Sequence, residues 1–528
     1  MFGKIRLYDY RCFRREAPAT LEFHSGFTSF VGPNNSGKSA LIRVPYELRF
    51  IVNNVGSMLD PSNWNALRNQ MGWNISHGLY EHAEIICERE RPACAVEFEP
   101  SMPENYGGEA IGRLRLEFDD GGSNFRCRVF NRQLDLLPPL GTGDVNFLGT
   151  DLVLAGRSYS AAPLKQFLNF LGGVQYIGPF RNAINEGAGL HFDVQVGTSF
   201  ISQWNGWKTG PNRTQNRAVQ RVTEDVRKLI GARTLEVSAS ADGKSLQVVL
   251  DHRPHKLQEL GAGFSQLVLV LANALVRKPS LVIIDEPELH LHPSLQAEFL
   301  TTLASYATHG VMFATHSIGL ARQAADRCFT VQRIGEGSTV RSYERTPHLG
   351  EFLGSLGIAG LQELGWNTVL LVEGVKDVRT AQAFLTTYGK DRSTVVLPLG
   401  GDAMANGNTA TELSEVIRLA GTEGKVAALV DSERDSAEGE PIKARRDFAA
   451  LCDGLGVSHC VTQRRAMENY VTQASLDAAY SPGAYQALSA YDRPGAQFWG
   501  KGETWRAAKR MTIAELNETD LGAFFLNL

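Results

Sequence analysis

The sequence predicts an α/β protein of two successive units, each built on apolar strands whose C-terminal ends carry polar chemistry. Three stretches carry that expectation. GPNNSGKS at 32–39 follows an apolar strand and opens a helix. LVIIDEPELHLHP at 281–293 is an apolar strand ending on two acids. VLLVEGVKD at 369–377 repeats the strand-to-acid pattern in the last third of the chain. At 528 residues the chain exceeds one core, so two or three domains are expected.

Taken in order, Ile5, Leu7 and Tyr10 fit a first strand, and 28–31 fits a buried one leading to a helix from Gly37. Residues 50–80 mix Asn, Gly, Ser and Trp and give no assignment. Segments 85–87, 94–98, 114–118 and 125–130 read as antiparallel strands with turns such as Asp119-Asp120-Gly121-Gly122. Helical character returns at 163–170 and 214–230, the latter from Val219, Val222, Val226, Leu229 and Ile230. A hairpin turns at Asp242-Gly243. A buried helix (265–276), a strand (281–284), a helix (294–306) and a strand (311–314) follow. Gly-rich residues 335–365 suggest a boundary, giving a first domain at 1–345, a linker at 346–366, a second domain at 367–480 and a helical extension at 481–528. No internal repeat or low-complexity tract is evident.

The first motif fits G-x-x-x-x-G-K-[ST], spanning Gly32, Asn34, Asn35, Ser36, Gly37, Lys38, Ser39 and Ala40. Its glycines let backbone N–H groups turn around phosphate oxygens; Lys38 suits the β- and γ-phosphates and Ser39 suits Mg²⁺. At the second motif, Asp285 is placed to hold that Mg²⁺ and Glu286 to act as general base for an attacking water. His316 after the strand 311–314 suits the γ-phosphate. Residues 260–266, with Gly263 and Ser265, open a helix whose N-terminus suits an anion. Together these motifs resemble the ATP-binding-cassette (ABC) class of ATPases, in its soluble branch with SMC and RecF relatives. The resemblance implies ATP held between two heads, hence a homodimer or higher even-numbered assembly. It implies that Gly263 and Ser265 touch the partner's nucleotide, although the loop departs from LSGGQ. It gives Gln175 the Q-loop role and places Arg181 nearby. No heptad tract offers a coiled coil between 40 and 260.

In the last third, strands 368–372 and 426–430 end on Glu373 and on Asp431-Ser432-Glu433, and Asp377 lies one helical turn beyond Glu373. A strand at 394–398 and a helix at 412–419 intervene. Carboxylates delivered from adjacent strand ends suit Mg²⁺ or Mn²⁺. The order resembles the TOPRIM domain of topoisomerases, primases and nucleases, with Asp-x-Glu in place of the usual Asp-x-Asp. An ATPase head followed by TOPRIM resembles the overcoming-lysogenisation-defect (OLD) nuclease family, including Gabija-type phage-defence nucleases. That resemblance implies two cations on Glu373, Asp377, Asp431, Glu433 and Glu468, with Lys501 supporting catalysis. It implies two-metal phosphodiester hydrolysis of nucleic acid, DNA before RNA, and leaves room for a second defence-system protein. Asp402 and Asp435 are expected to be loop acids.

Basic runs at Arg213, Arg217, Arg221, Arg227 and Lys228, at Lys443, Arg445 and Arg446, and at Arg464, Arg465, Arg506, Lys509 and Arg510 are candidate substrate contacts. Those nearest the acids are favoured. The net charge of -4 excludes a wholly basic coat, not a local stripe. Seven scattered cysteines without a C-x-x-C pair suggest reduced thiols. Lys4, Arg6 and Asp9 argue against a signal peptide, and no apolar run spans a bilayer, so a cytoplasmic protein without membrane partners is expected. The competing expectations are an ATP-gated sensor or scaffold whose TOPRIM unit acts on RNA, such as tRNA, or only after release by a trigger or partner, and a RecF-like repair ATPase. The acids at 373–433 argue against the last.

Overall fold

Alternating apolar strands and helices close on themselves in the computed structural model, which describes residues 1–59, 71–73, 82–86, 94–103, 106–137, 145–148, 151–154, 157–179, 189–342, 368–391, 393–399, 425–495 and 498–528. The expected linker, Arg181, Asp402 and the helix expected at 412–419 lie outside these residues.

The first unit is organised by a six-stranded sheet. Its strands in chain order are β1 (Gly26–Val31), β2 (Gln175–Ile177), β3 (Val282–Asp285), β4 (Gly310–Thr315), β5 (Arg327–Ile334) and β6 (Gly337–Ser342). They lie side by side as β2-β3-β4-β1-β5-β6, parallel except for the last pair. The strands β1, β3 and β4 are buried along their whole length, because the sheet is covered on both faces. One face shares a core with a second, antiparallel sheet that includes Gly3–Tyr8, Ala95–Pro100, Ile111–Phe118 and Asn124–Asn131. The other face packs on helices, among them α2 (Arg213–Ile230), α3 (Gly261–Arg277) and α4 (Pro293–Ala304). The helix α1 (Lys38–Ile42) follows β1 directly.

The hairpin at Asp242-Gly243 pairs Leu235–Ala239 with Leu246–Leu250, as its turn residues require. Two expectations fail here. His82–Ile85 is a 3₁₀ turn rather than the start of a strand. Residues 337–342 form the strand β6 in a stretch read only as Gly-rich and turn-rich; the glycines at 335 and 337 serve the β5–β6 turn, with Gly335 at φ +59°.

The second unit is a four-stranded, all-parallel sheet: β7 (Thr368–Val372), β8 (Thr394–Pro398), β9 (Lys425–Val430) and β10 (Ser458–Val461), in the spatial order β8-β7-β9-β10. On one face lie α5 (Val375–Thr387) and the C-terminal helices, including α7 (Thr504–Ala508); on the other, Phe448 and Cys452 of α6 (Lys443–Gly454). The chain leaves β7 towards β8 on one side and reaches β9 on the other, so the crevice between the ends of β7 and β9 is a topological switch point.

The units are joined through buried side chains. Arg379 of α5 is fully enclosed, sits 3.8 Å over the Phe27 ring and pairs with Asp326. Trp505 of α7 is fully buried within the first unit's core, edge-on to Phe27. Lys509 pairs with Glu298 of α4 at 2.6 Å.

Candidate nucleotide and acidic sites

At the end of β1 the chain turns through Gly32, where a Cβ would lie 2.1 Å from the Val331 carbonyl oxygen, and through Gly37 at φ +98°. Only glycine meets both conditions without strain. Asn34 and Asn35 are exposed, Ser36 is enclosed, and Ala40 lies in α1. Lys38 donates to the carbonyls of Gly32 (2.8 Å) and Pro33 (2.9 Å) and lies 3.3 Å from His316 Nδ1. Burial pulls its ammonium below the usual lysine range, against the pull of Asp285, Glu286 and Glu288.

Across the loop, burial pushes Asp285 up to about 6, although the Ser39 hydroxyl donates to it. Its Oδ1 is buried without a hydrogen-bond partner, and its Oδ2 accepts from Tyr176 at 3.5 Å. Ser39 and this spare oxygen fit a hydrated Mg²⁺. Glu286 holds φ +50°, a strained backbone for a non-glycine residue, and its Oε1 lies 2.9 Å from His316 Nε2. His316 thus sets Nε2 against Glu286 and Nδ1 against both the Gly32 carbonyl oxygen (3.1 Å) and Lys38, which joins loop lysine, histidine and candidate base in one chain. Glu288 accepts from the Thr315 hydroxyl (2.7 Å) and the His316 N–H (2.9 Å). The structure thus brings Lys38, Ser39, Asp285, Glu286 and His316 together. Tyr176 and Glu288 escaped the motif reading, although Glu288 lies within the same acidic stretch.

Two nucleotide candidates are corrected. Gln175 opens β2 opposite Val282, three residues before the level of Asp285, and is fully buried, with its amide directed to the Asp193 carbonyl. Ser265 is also buried; its hydroxyl faces the carbonyls of Gly261, at the start of α3, and of Leu257, in the 3₁₀ turn before it, so it has no surface to offer a partner's nucleotide. Gly263, packed 2.3 Å (by its would-be Cβ) from the His290 carbonyl, is partly exposed.

In the second unit, Glu373 follows β7, Asp431 follows β9, Asp377 lies in the first turn of α5, and Glu468 lies in the 3₁₀ turn Met467–Tyr470 after β10. Lys501, in a 3₁₀ turn after Gly500 (φ +91°), reaches into their midst. Its Nζ lies 2.9 Å from Asp431, 3.3 Å from Asp377 and 3.9 Å from Glu468. Burial works against its ammonium, yet Asp431, Asp377 and Glu468 together push it well above the usual range. Burial, then the charge of Asp431, raises Asp377 to about 7 and Glu468 to about 8. Glu373 rises for the same two reasons, opposed by Arg445.

Among the described residues no three acidic, His or Cys side chains already stand in ligating geometry; around Asp431 the carboxylates are gathered on an ammonium instead. The donor set nevertheless fits a hard cation: the oxygens are carboxylates from four separate elements, and Glu373 Oε2 is buried with no hydrogen-bond partner. Glu433 is the correction. Its φ of +58° and its N–H bond to the Arg465 carbonyl (2.9 Å) turn its side chain onto the Arg465 guanidinium, which also holds Asp435. The favoured basic candidates are likewise spent inside the fold. Arg445 pairs with Glu373, Arg464 stacks on Tyr470, Arg506 pairs with Glu503, and Lys509 and Arg510 face Glu298 and Asp225. Arg213, Arg217, Lys228, Lys443 and Arg446 remain exposed.

Residues 210–322 match the family model described as "AAA domain, putative AbiEii toxin, Type IV TA system". The chain is 34% identical over 146 residues to the peptidoglycan transport ATP-binding protein YejF of Agrobacterium fabrum, covering 26% of each. It is 31% identical over 130 residues to the glutamine transport ATP-binding protein GlnQ of Escherichia coli K12, covering 23% of this chain and 54% of that protein. The chain therefore spans about a quarter and about half of these relatives. The solved SMC head domain from Thermotoga maritima aligns over 65% of the chain and all of its own, at a TM-score of 0.34 and 16% identity. Among the described residues no helix is long and apolar enough to cross a membrane. The family match and the transporter ATPases, taken with the loop geometry, support an ABC-type P-loop ATPase domain that binds ATP.

Proposed function

We propose that the chain is an ATP-controlled, metal-dependent nuclease, with ATP hydrolysed in the first unit and a nucleic-acid phosphodiester cut at the acidic site of the second. The observation that carries this reading is the convergence of Glu373, Asp377, Asp431 and Glu468 at a topological switch point, with a lysine among them. Burial, and then the charge of Asp431, push Asp377 to about 7 and Glu468 to about 8, the kind of perturbation that clusters at functional sites.

In the first unit, Lys38 would exchange its loop carbonyls for the β- and γ-phosphates, Ser39 and Asp285 would hold Mg²⁺, and Glu286, oriented by His316, would take the proton of the attacking water. In the second, a divalent cation, when bound, supplies Lewis acidity and an ionised water. Glu373, Asp377, Asp431 and Glu468 would hold it. Lys501 is placed to stabilise charge on the phosphate in the transition state. The exposed Lys376, whose stem lies 3.9 Å from the would-be Cβ of Gly502, stands beside Lys501 for the incoming backbone. DNA is the favoured substrate, two copies paired through their ATPase domains the favoured assembly, and phage defence the favoured setting. The toxin description of the matched family supports that setting.

The test is a cleavage panel: purified protein with plasmid DNA or tRNA, with Mg²⁺ or Mn²⁺, with and without ATP. Cleavage of plasmid is expected, reduced by about 10²-fold or more in Glu373→Ala while ATP hydrolysis persists. Undiminished cleavage by Glu373→Ala removes the site from the mechanism.

A further inference from the structure

We propose that the acidic site takes one divalent cation, and that the Arg445 guanidinium stands in for the second cation of a paired site. The inference rests on the metal-site reading above.

Arg445 is buried, and it ties together the two strand ends that define the switch point. Its Nη2 contacts Glu373 Oε1, and its Nε donates to the Asp431 carbonyl at 3.1 Å. A guanidinium is permanently charged and planar, and so can grip a carboxylate and a carbonyl at once. It thereby occupies one oxygen of Glu373 and leaves the other, Oε2, enclosed without a hydrogen-bond partner. That spare oxygen serves one cation.

The charge balance points the same way. Glu373, Asp377, Asp431 and Glu468 face two cations of the chain itself, Arg445 and Lys501. One divalent cation makes the cluster neutral; a second leaves it with two positive charges in excess in a largely buried site, where uncompensated charge is costly. Glu433, the last residue of the Asp-x-Glu pattern, is turned away onto Arg465. The fold has thus replaced a paired-cation site by one exchangeable cation and one fixed side-chain cation.

The experiment is a Mn²⁺ titration of the full-length, nucleotide-free protein, with free Mn²⁺ read by electron paramagnetic resonance. The same titration of Asp431→Asn subtracts ions bound outside the cluster. One Mn²⁺ per chain is expected for the unsubstituted protein and for Arg445→Lys, which keeps the charge. Arg445→Ala, which frees both oxygens of Glu373, is expected to bind two. Two per chain in the unsubstituted protein overturns the inference and leaves the metal site standing, as does a single ion in folded Arg445→Ala. If Arg445→Ala does not fold, the unsubstituted protein and Arg445→Lys decide the count. No ion lost on Asp431→Asn overturns the metal-site reading itself.

Discussion

Lys38 is held back by two carbonyls of its own loop and His316, and Glu286 is aimed through the same histidine. Truncating the lysine therefore removes the charge that meets phosphate, whereas Glu286→Gln keeps the shape and removes the base. Lys38→Ala is expected to weaken ATP binding. Glu286→Gln is expected to bind ATP normally and to hydrolyse it about 10²–10⁴-fold more slowly. Phosphate release and fluorescent-nucleotide titration separate the two, and Glu286→Gln turning over at the unsubstituted rate would falsify its assignment as base. Residues whose role follows from a loop's backbone, such as Gly32, Gly37 and Lys38, were legible in the sequence. Side-chain direction was not. Gln175 and Ser265 have suitable chemistry but lie inside the sheet and helix that carry them, and a left-handed turn at Glu433 redirects its carboxylate. Arg445 read as a surface base because the sequence of α6 does not say that its third residue faces the end of β7.

Strands β7 and β8 begin and end where expected, since strands buried on both faces have few other ways to be read. Their ends set up a dependence on pH. Asp377 and Glu468 are raised to about 7 and about 8, chiefly by burial and then by the charge of Asp431. A carboxyl whose pKa is raised on folding favours the folded state fully at low pH. That contribution is lost as pH climbs from the ordinary carboxylate range through the raised value. The metal-free protein is therefore expected to lose stability between about pH 4 and pH 8 at this site. A divalent cation supplies the missing compensation where the acids are ionised, so its stabilising effect grows over the same window. Thermal unfolding without nucleotide, at pH 6 and pH 8 with and without Mn²⁺, is expected to show the larger rise in Tm at pH 8. Equal rises at both values count against the cluster as the binding site. By contrast, the strand β6 escaped the sequence reading because the glycines at 335 and 337 marked the stretch as turn-rich, and they in fact make a tight turn between two strands.

At the scale of the whole molecule, the two units share buried side chains. Arg379 leaves α5, two residues beyond Asp377, to lie over Phe27 of β1, the strand that feeds the phosphate loop. The C-terminal segment reaches both ways: Lys501 enters the acidic site, and Trp505, Arg506 and Lys509 pack on Phe27 and on α4, the helix that follows the Asp285–Glu286 strand. None of this was legible in the sequence, because the apolar pattern of each unit is complete without the other. Trp505 is the sharpest test, since it is wholly buried in the core of a unit more than 150 residues earlier in the chain. Replacing it with alanine removes a large buried aromatic side chain, at a cost of about 3–5 kcal/mol. The unsubstituted protein is expected to unfold in one cooperative transition, because neither unit loses its partner without exposing that contact. Trp505→Ala is expected to unfold in two, resolved by calorimetry, with the ATP-stabilised transition separable from the Mn²⁺-stabilised one. Since the 3₁₀ turn that carries the lysine of the acidic site runs directly into α7, four residues upstream of Trp505, the same substitution is expected to change Mn²⁺ affinity while leaving ATP affinity within about twofold, because Trp505 touches none of the phosphate-contacting residues. A single transition in Trp505→Ala with unchanged Mn²⁺ affinity would mean that the contact packs the units together without linking their sites.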